Sequence, residues 1–168
     1  MRSLSLLVAL CLSLSADGAD VLPPVTEGQR VLTCGHSFHV FTYRQVGEMV
    51  RGINERLGKN AVVVVPVGQA SVTLREKIVK GEAPGLKAQS DLFRDTWGHA
   101  LQPLQILSSY CHFAVIYRRS PVGLPVPGPI RALKEVSEEA QAKLNTLLQE
   151  IAWETVSRHP MAGVMSPR

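Results

Sequence analysis

The sequence predicts an α/β domain in which a small parallel sheet is flanked by helices, and the order of its apolar segments is the main reason. A short apolar run at residues 31–34 leads into a glycine turn and then into a helical pattern from Phe38. A second run, at residues 61–67, reads AVVVVPV, which is typical of a strand buried on both faces of a parallel sheet. Because helical spacing follows each run, the pattern is strand, helix, strand, helix, and right-handed crossovers are expected.

Four helices are predicted from apolar residues spaced three and four positions apart. They are expected at residues 38–57, 74–80, 103–118 and 132–157. Gly58 ends the first helix, and Ser71 or Thr73 caps the second. Pro103 lies in the first turn of the third helix, where proline is tolerated. Residues 120–129 contain four prolines and are expected to be irregular.

The size and composition of the chain fit one globular domain. It has 168 residues, of which 45% are hydrophobic and 19% are charged, so it can form a single core. We predict one α/β domain at residues 20–158 and a tail at residues 159–168. The net charge is +4, but Lys and Arg are scattered and no basic run is interleaved with aromatic residues. Nucleic acid is therefore not expected as a partner.

The N-terminus has the parts of a secretory signal peptide, which we place at residues 1–19. Arg2 supplies a positive charge, and residues 4–14 form an apolar run that is too short to span a membrane. Ala19 is a small residue suited to cleavage. The expected location is secreted or periplasmic, with no stable membrane span after cleavage. The alternative is a hydrophobic N-terminal helix that stays attached.

Two cysteines, Cys34 and Cys111, follow the signal peptide, and the sequence leaves open whether they form a disulfide or are buried as free thiols. Cys34, His36 and His39 are residue types that bind zinc. They cross the predicted junction between strand and helix, however, where side chains diverge. We therefore expect neither a metal site nor a cofactor.

Three residues have the chemistry of a nucleophile and its activating pair. Ser37 lies on the turn between the first predicted strand and helix, where helix N–H groups can stabilise an oxyanion. Asp95 and His99 lie on one loop that leads into a helix. A serine hydroxyl needs a base to take its proton, and a histidine does this well when a carboxylate fixes its tautomer. The sequence thus predicts a Ser-His-Asp arrangement in the chain order serine, aspartate, histidine.

These segments resemble two blocks of the SGNH (GDSL-like) hydrolases, and most closely the secreted bacterial branch whose first block is Gly-x-Ser-Phe. GHSF matches the first block at Gly35, Ser37 and Phe38, and DTWGH, followed by a helix and YRRSPVG, resembles the late Asp-x-x-His block. Asp95 and His99 have three residues between them where the family usually has two. The resemblance covers residues 30–123.

The resemblance implies a Rossmann-like, three-layer fold and hydrolysis of a carboxylic ester, such as an acetyl group on a carbohydrate, without a cofactor. Ser37 would attack the acyl carbon, His99 would carry the proton and Asp95 would orient His99. The backbone around Ser37 and Gly35 would bind the oxyanion. The substrate would be a small-molecule or carbohydrate ester.

The chain departs from the family in its middle. The interior glycine and Gly-x-Asn-Asp blocks, whose donors complete the oxyanion hole, are absent between Ser37 and Asp95. Gly68 and Gln69, at the end of the second predicted strand, are the candidate substitutes. Loss of one such donor typically costs about 10²- to 10³-fold in turnover. The alternative function is therefore a catalytically inactive, secreted remnant of the family or a binding protein.

Overall fold

The computed structural model describes residues 43–165, and this part of the chain is helical. Its helices are α1 Tyr43–Leu57, α2 Val67–Val79, α3 Gln102–Tyr117, α4 Gly128–Arg131 and α5 Glu138–Arg158, with a 3-10 helix at Gln89–Leu92 between α2 and α3. These residues contain no strand, and one isolated antiparallel bridge joins Phe93 to Ala100. The prediction of an α/β fold with a parallel sheet is therefore wrong for the described residues.

The β-branched run that predicted a buried strand forms irregular backbone between α1 and α2 at residues 61–66, and its last residue, Val67, begins α2. The Asn54 side chain accepts from the Val62 N–H at 2.9 Å and donates to the Val62 carbonyl at 2.8 Å. Val64 N–H donates to the carbonyl of Met161 at 2.9 Å. Val63 and Val65 are half-buried against the helical core. β-branched residues favour any packed, half-buried surface, so the composition of this segment is also satisfied by packing against helices. The other predicted strand, residues 31–34, lies outside the described residues.

The described part of the first predicted helix is confirmed. Helix α1 extends to Leu57 and is followed by Gly58, which has a positive φ of 61° suited to a helix end. The apolar residues of α1 differ in exposure: Val50 is 6% exposed, whereas Met49 is 65% exposed. The start of this helix, predicted at Phe38, lies outside the described residues.

Helix α2 begins seven residues before its predicted start, at Val67, directly after Pro66. Ser71 and Thr73 do not cap it. Their hydroxyls donate to carbonyls four residues earlier, Ser71 to Val67 at 2.7 Å and Thr73 to Gln69 at 3.2 Å. Such bonds are made by Ser and Thr inside a helix. The prediction of caps at these positions was wrong because the helix already included them.

Helix α3 is confirmed to within one residue at each end, and Pro103 lies in its first turn. It packs mainly against α5, and α2 packs on both. The interior of this bundle is formed by small and aliphatic side chains with 0% exposure, which include Leu74, Leu107, Ala114, Leu144, Leu148 and Ala152. The core therefore lies where α2, α3 and α5 meet.

Helix α5 begins at Glu138, six residues later than predicted, and the short helix α4 precedes it. The Ser137 hydroxyl accepts from the Ala140 N–H at 3.3 Å and so caps α5. Glu138 and Glu139 place negative charge in the first turn, where the helix dipole favours it. These local signals define the start of α5 better than apolar periodicity does.

A buried polar network fixes the irregular segment between α3 and α4. Tyr110 on α3 donates its hydroxyl to Asn145 Oδ1 on α5 at 2.6 Å. Gln149 on α5 donates to the Leu124 carbonyl at 2.8 Å and accepts from the Gly123 N–H at 3.2 Å. No buried side-chain nitrogen or oxygen within residues 43–165 lacks a hydrogen-bond partner. The network holds this loop without leaving polar groups unsatisfied.

The segment after α5, placed in the tail by the sequence, packs onto the core as far as the structure describes it. Ala162 and Val164 are each 1% exposed. Gly163 has a φ of 66°, and a Cβ built there would lie 2.7 Å from Val63 Cγ1. The close approach of residue 163 to Val63 requires glycine, and it holds the two irregular segments together.

Candidate functional site

The loop that carries Asp95 and His99 connects the 3-10 helix to α3 and is closed by backbone hydrogen bonds. Arg94 N–H donates to the His99 carbonyl at 2.8 Å, and Leu101 N–H donates to the Leu92 carbonyl at 2.9 Å. Together with the bridge between Phe93 and Ala100, these bonds make a small hairpin. The tip of this hairpin carries Asp95 and His99, the two residues predicted from the sequence to act together.

Asp95 organises this tip with both carboxylate oxygens. Oδ1 accepts from the Trp97 N–H at 3.0 Å and from the His99 N–H at 3.3 Å. Oδ2 lies 2.5 Å from His99 Nδ1. Gly98 has a φ of 86°, and its N–H donates to the Asp95 carbonyl at 3.2 Å. A glycine suits this position because a positive φ is strained for residues with a side chain.

The contact between Asp95 and His99 determines which nitrogen of the imidazole can act as a base. The hydrogen bond from His99 lowers the pKa of the Asp95 carboxyl from its ordinary value of 3.8, with backbone bonds from His99 and Trp97 contributing. Asp95 is therefore ionised near neutral pH and can only accept. Nδ1 of His99 must therefore carry a hydrogen, and in the neutral imidazole this leaves the free electron pair on Nε2. This is the tautomer that a general base uses to take a proton from a hydroxyl.

The pair is open to solvent. The side chain of His99 is 59% exposed and that of Asp95 is 31% exposed. Arg94 Nε lies 3.8 Å from Asp95 Oδ2, with its own side chain 70% exposed. At this exposure the ion pair contributes little to stability. The side chains of Asp95 and His99 are therefore both accessible from solvent.

The two candidate oxyanion residues of the middle segment lie elsewhere in the described structure. Gly68 and Gln69 are exposed residues in the first turn of α2. Gln69 lines a cavity of about 390 Å³ together with Thr73 and the end of α5, including Arg158 and His159. Neither Asp95 nor His99 lines this cavity. The structure thus brings Asp95 and His99 together, but it does not bring Gln69 to them.

Ser37 and Gly35 lie outside the described residues. The nucleophile and the oxyanion site at the first block therefore stay predictions. The signal peptide predicted at residues 1–19 and Cys34 also lie outside the described residues. Of the two states that the sequence left open for Cys111, a disulfide or a buried free thiol, the structure shows the free thiol.

The described residues do not provide an alternative metal or thiol site. Within residues 43–165, no group of three or more His, Cys, Asp or Glu side chains could hold a metal ion. Cys111 is a free thiol with 0% exposure, and burial raises its pKa to about 12. A thiol in this environment is not a nucleophile near neutral pH. His112 Nδ1 lies 2.7 Å from the Ser108 carbonyl one helical turn earlier.

Trp97 is the residue of this loop to which sequence reasoning gave no role. Its side chain is 83% exposed, between the acid and the base in the chain. The available signal was a tryptophan inside a short polar loop that also carries Asp95 and His99. Tryptophan is usually well buried, so the exposure of Trp97 did not follow from its residue type.

Comparison with known proteins gives no match: no family model, no curated protein and no solved structure matches this chain. Among the described helices, none combines the length and the apolar character needed to cross a membrane.

Proposed function

We propose that this protein is an exported serine ester hydrolase of the SGNH type, in which Ser37 is the nucleophile, His99 the general base and Asp95 the group that orients His99. The observation that carries the proposal is the 2.5 Å contact between His99 Nδ1 and Asp95 Oδ2. It occurs in a loop whose backbone is itself bonded to the Asp95 carboxylate. The resemblance of the GHSF segment to the family's first block supplies the serine.

The proposed reaction follows from the free Nε2 of His99. Nε2 takes the proton of the Ser37 hydroxyl while Oγ attacks the acyl carbon of the ester. The protonated imidazole, held by Asp95, then gives this proton to the departing alcohol and leaves an acyl-serine. A water molecule next loses a proton to Nε2 and attacks the acyl carbon. Release of the carboxylic acid returns the proton to Ser37, so the cycle needs no cofactor.

The oxyanion formed in each half-reaction requires hydrogen-bond donors. In this proposal the backbone N–H of Ser37 is the first donor, with the backbone near Gly35 beside it. Gly68 and Gln69 are secondary candidates, because Gln69 faces a different cavity. Fewer donors than in the family would make the enzyme slow rather than change its reaction.

The proposed substrate is a small-molecule or carbohydrate ester outside the cytoplasm. The N-terminal segment at residues 1–19 supports export. The open position of His99 supports a substrate whose ester group stands on a larger solvent-exposed molecule, since the His99 side chain is 59% exposed.

The first test is hydrolysis of p-nitrophenyl acetate by the purified chain and by Ser37→Ala. We expect the variant to lose the activity because the acyl acceptor is gone. Ser109→Ala is the matched control, since Ser109 is an exposed serine on α3 that only donates to the Gln105 carbonyl at 2.9 Å. Equal rates for native chain and Ser37→Ala would reject Ser37 as the nucleophile.

The second candidate function is an inactive remnant of the family or a binding protein. Two observations favour it: the Gly-x-Asn-Asp block is missing, and His99 does not line the cavity beside Gln69. A folded native chain that neither hydrolyses p-nitrophenyl acetate nor reacts with a fluorophosphonate would select this second function.

A further inference from the structure

The segment after α5, residues 159–165, is attached to the irregular backbone between α1 and α2. The Met161 carbonyl accepts from the Val64 N–H at 2.9 Å. Ala162 and Val164 are each 1% exposed, so the same segment also buries apolar side chains. Its attachment therefore depends on the direction that the backbone takes as it leaves α5.

His159 determines that direction. It is the C-terminal cap of α5, and its Nδ1 accepts from the Met161 N–H at 3.2 Å. The His159 carbonyl accepts from the Ala162 N–H at 3.1 Å. A backbone N–H can only donate, so Nδ1 must have a free electron pair, and the hydrogen of the neutral ring lies on Nε2. The turn that brings Met161 to Val64 thus contains a hydrogen bond that a protonated imidazole cannot make.

The charged groups beside the imidazole are paired with each other. His159 lines a cavity of about 390 Å³ with Gln69 and Thr73 of α2 and with Glu154 and Arg158 of α5. Arg158 Nη1 lies 2.6 Å from Glu154 Oε1. The side chains from α2 are an amide and a hydroxyl, and neither is titratable. A positive charge on His159 would therefore lie near a guanidinium whose carboxylate partner is already bonded.

The other elements around this turn add no charge that would favour a protonated ring. Residues 61–66 and 160–165 contain no charged side chain. Lys77, further along α2, pairs with Glu82 at 2.7 Å. Burial lowers the pKa of His159 from its ordinary value of 6.5, although the ring lies at the end of a helix, where the dipole favours a cation. The fold therefore favours the neutral imidazole.

We propose that His159 is a pH-dependent switch, which holds residues 159–165 on the core while its imidazole is neutral and releases them from residues 61–66 when it is protonated. A proton from solvent binds Nδ1 and takes the electron pair that accepts from Met161. The Met161 N–H then loses its acceptor, and a cation is left beside the last turn of α5. Without this bond the Met161 carbonyl is no longer held toward Val64.

The direction of the switch follows from the sign of the pKa shift. A histidine whose pKa is lowered by folding stabilises the native contacts fully above its ordinary value of 6.5, and this effect is lost as the pH falls through the lowered value. Below both values, each unit of lowering makes closing about tenfold less favourable. The segment is therefore closed at neutral pH and opens in mild acid. This inference does not depend on Ser37, Asp95 or His99.

Amide hydrogen exchange, followed by NMR on the full chain, measures the switch. The Val64 N–H reports on the bond to Met161, and the Leu107 N–H, in the fully buried part of α3, reports on global unfolding. After correction for the intrinsic exchange rate, the protection of Val64 should fall at least about tenfold between about pH 8 and about pH 5. Leu107 should stay protected, and the midpoint should coincide with the titration of the His159 Cε1–H signal.

Two substitutions of His159 separate the hydrogen bond from the titration. In His159→Asn, Oδ1 can accept from the backbone N–H two residues on and does not titrate, so Val64 should stay protected at both pH values. In His159→Ala the acceptor is gone, and protection should be low at both. His99→Asn is the matched control, because His99 lies on another loop and its variant should keep the native pH dependence.

Three results would overturn the switch. Protection of Val64 that does not change with pH in the native chain would show that its bond to Met161 is independent of the His159 charge. An equal fall in His159→Asn would assign the pH dependence to another group. A fall at Leu107 as large as that at Val64 would show that acid unfolds the whole domain rather than releasing one segment.

Discussion

The Asp95 carboxylate determines the geometry of the candidate site, because its two oxygens accept three hydrogen bonds from the four residues that follow it. One of these fixes His99 Nδ1 as the protonated nitrogen, and the other two fix the backbone of Trp97 and His99. A single side chain therefore sets the tautomer of the base and the shape of the loop. Substitutions at this residue should affect catalysis more than stability.

Asp95→Asn removes the charge but keeps a side chain of the same shape. The amide can donate as well as accept, so His99 is no longer held in one tautomer, and we expect kcat to fall by about 10³- to 10⁴-fold. Asp91→Asn is the matched control, since Asp91 also accepts two backbone N–H groups, from Lys87 and Ala88, away from the imidazole. Steady-state kinetics on p-nitrophenyl acetate measures both. Equal effects of the two variants would contradict the orienting role of Asp95.

The lowered pKa of Asp95 gives a pH dependence with a definite sign. A carboxyl whose pKa is lowered by folding stabilises the native loop at pH values above its ordinary value of 3.8 and loses that effect as the pH falls through the lowered value. Carbon-detected NMR of the Asp95 carboxyl should give a midpoint below 3.8. In His99→Asn the midpoint should rise, because the largest cause of the shift is gone. A midpoint that His99→Asn does not move would contradict this assignment.

At the scale of elements, apolar packing and a buried polar network hold together α3, α5 and the loop that follows α3. Apolar residues supply most of the interface between α3 and α5, but Tyr110, Asn145 and Gln149 set the position of the loop. Burial raises the pKa of Tyr110, so its hydroxyl remains a donor well above neutral pH. The loop is therefore attached by specific bonds and not only by burial.

Tyr110→Phe tests this attachment. The variant leaves Asn145 Oδ1 without its donor in a buried position, which should lower the free energy of unfolding by about 1–3 kcal/mol. Tyr117→Phe is the control, because Tyr117 is 55% exposed and its change should stay within about 0.5 kcal/mol. Urea unfolding followed by circular dichroism measures both. Indistinguishable stabilities would show that the hydroxyl of Tyr110 does not hold the loop.

Over the whole molecule, the irregular segment at residues 61–66 meets the segment that follows α5, and this pairing replaces the predicted sheet. Gly163→Ala places a methyl group 2.7 Å from Val63 Cγ1 at a φ of 66°. We expect the free energy of unfolding to fall by about 1–3 kcal/mol. In Gly47→Ala, within α1, the new Cβ meets no atom, and a gain of about 0.5–1 kcal/mol is expected. A thermal unfolding midpoint of Gly163→Ala at or above that of the native chain would contradict the described packing.

Local sequence patterns predicted the helices and contacts that depend only on residues close together in the chain. The spacing of apolar residues gave α1 as far as it is described and gave α3 nearly residue for residue. Asp95 and His99 lie four positions apart in one loop, so the contact between their side chains depends only on local backbone. The start of α5 was misplaced because apolar spacing alone does not locate a helix start, which the Ser137 cap determines here.

These local patterns did not predict which distant segments of the chain are in contact. The run at residues 61–67 is apolar and β-branched, but whether it meets a strand or helices depends on segments about a hundred positions away, such as Met161. Tyr110 and Asn145 are likewise 35 positions apart. The exposure of Trp97 depends on which elements cover the loop, and no periodicity encodes that.

The most direct test of the central claim is mass spectrometry of the purified chain after reaction with a fluorophosphonate, which forms a covalent adduct only with an activated serine. We predict one adduct, located on Ser37, that disappears in Ser37→Ala and is strongly reduced in His99→Asn. The absence of an adduct on a demonstrably folded native chain, or an adduct that forms equally in His99→Asn, would contradict the claim that Asp95 and His99 activate Ser37.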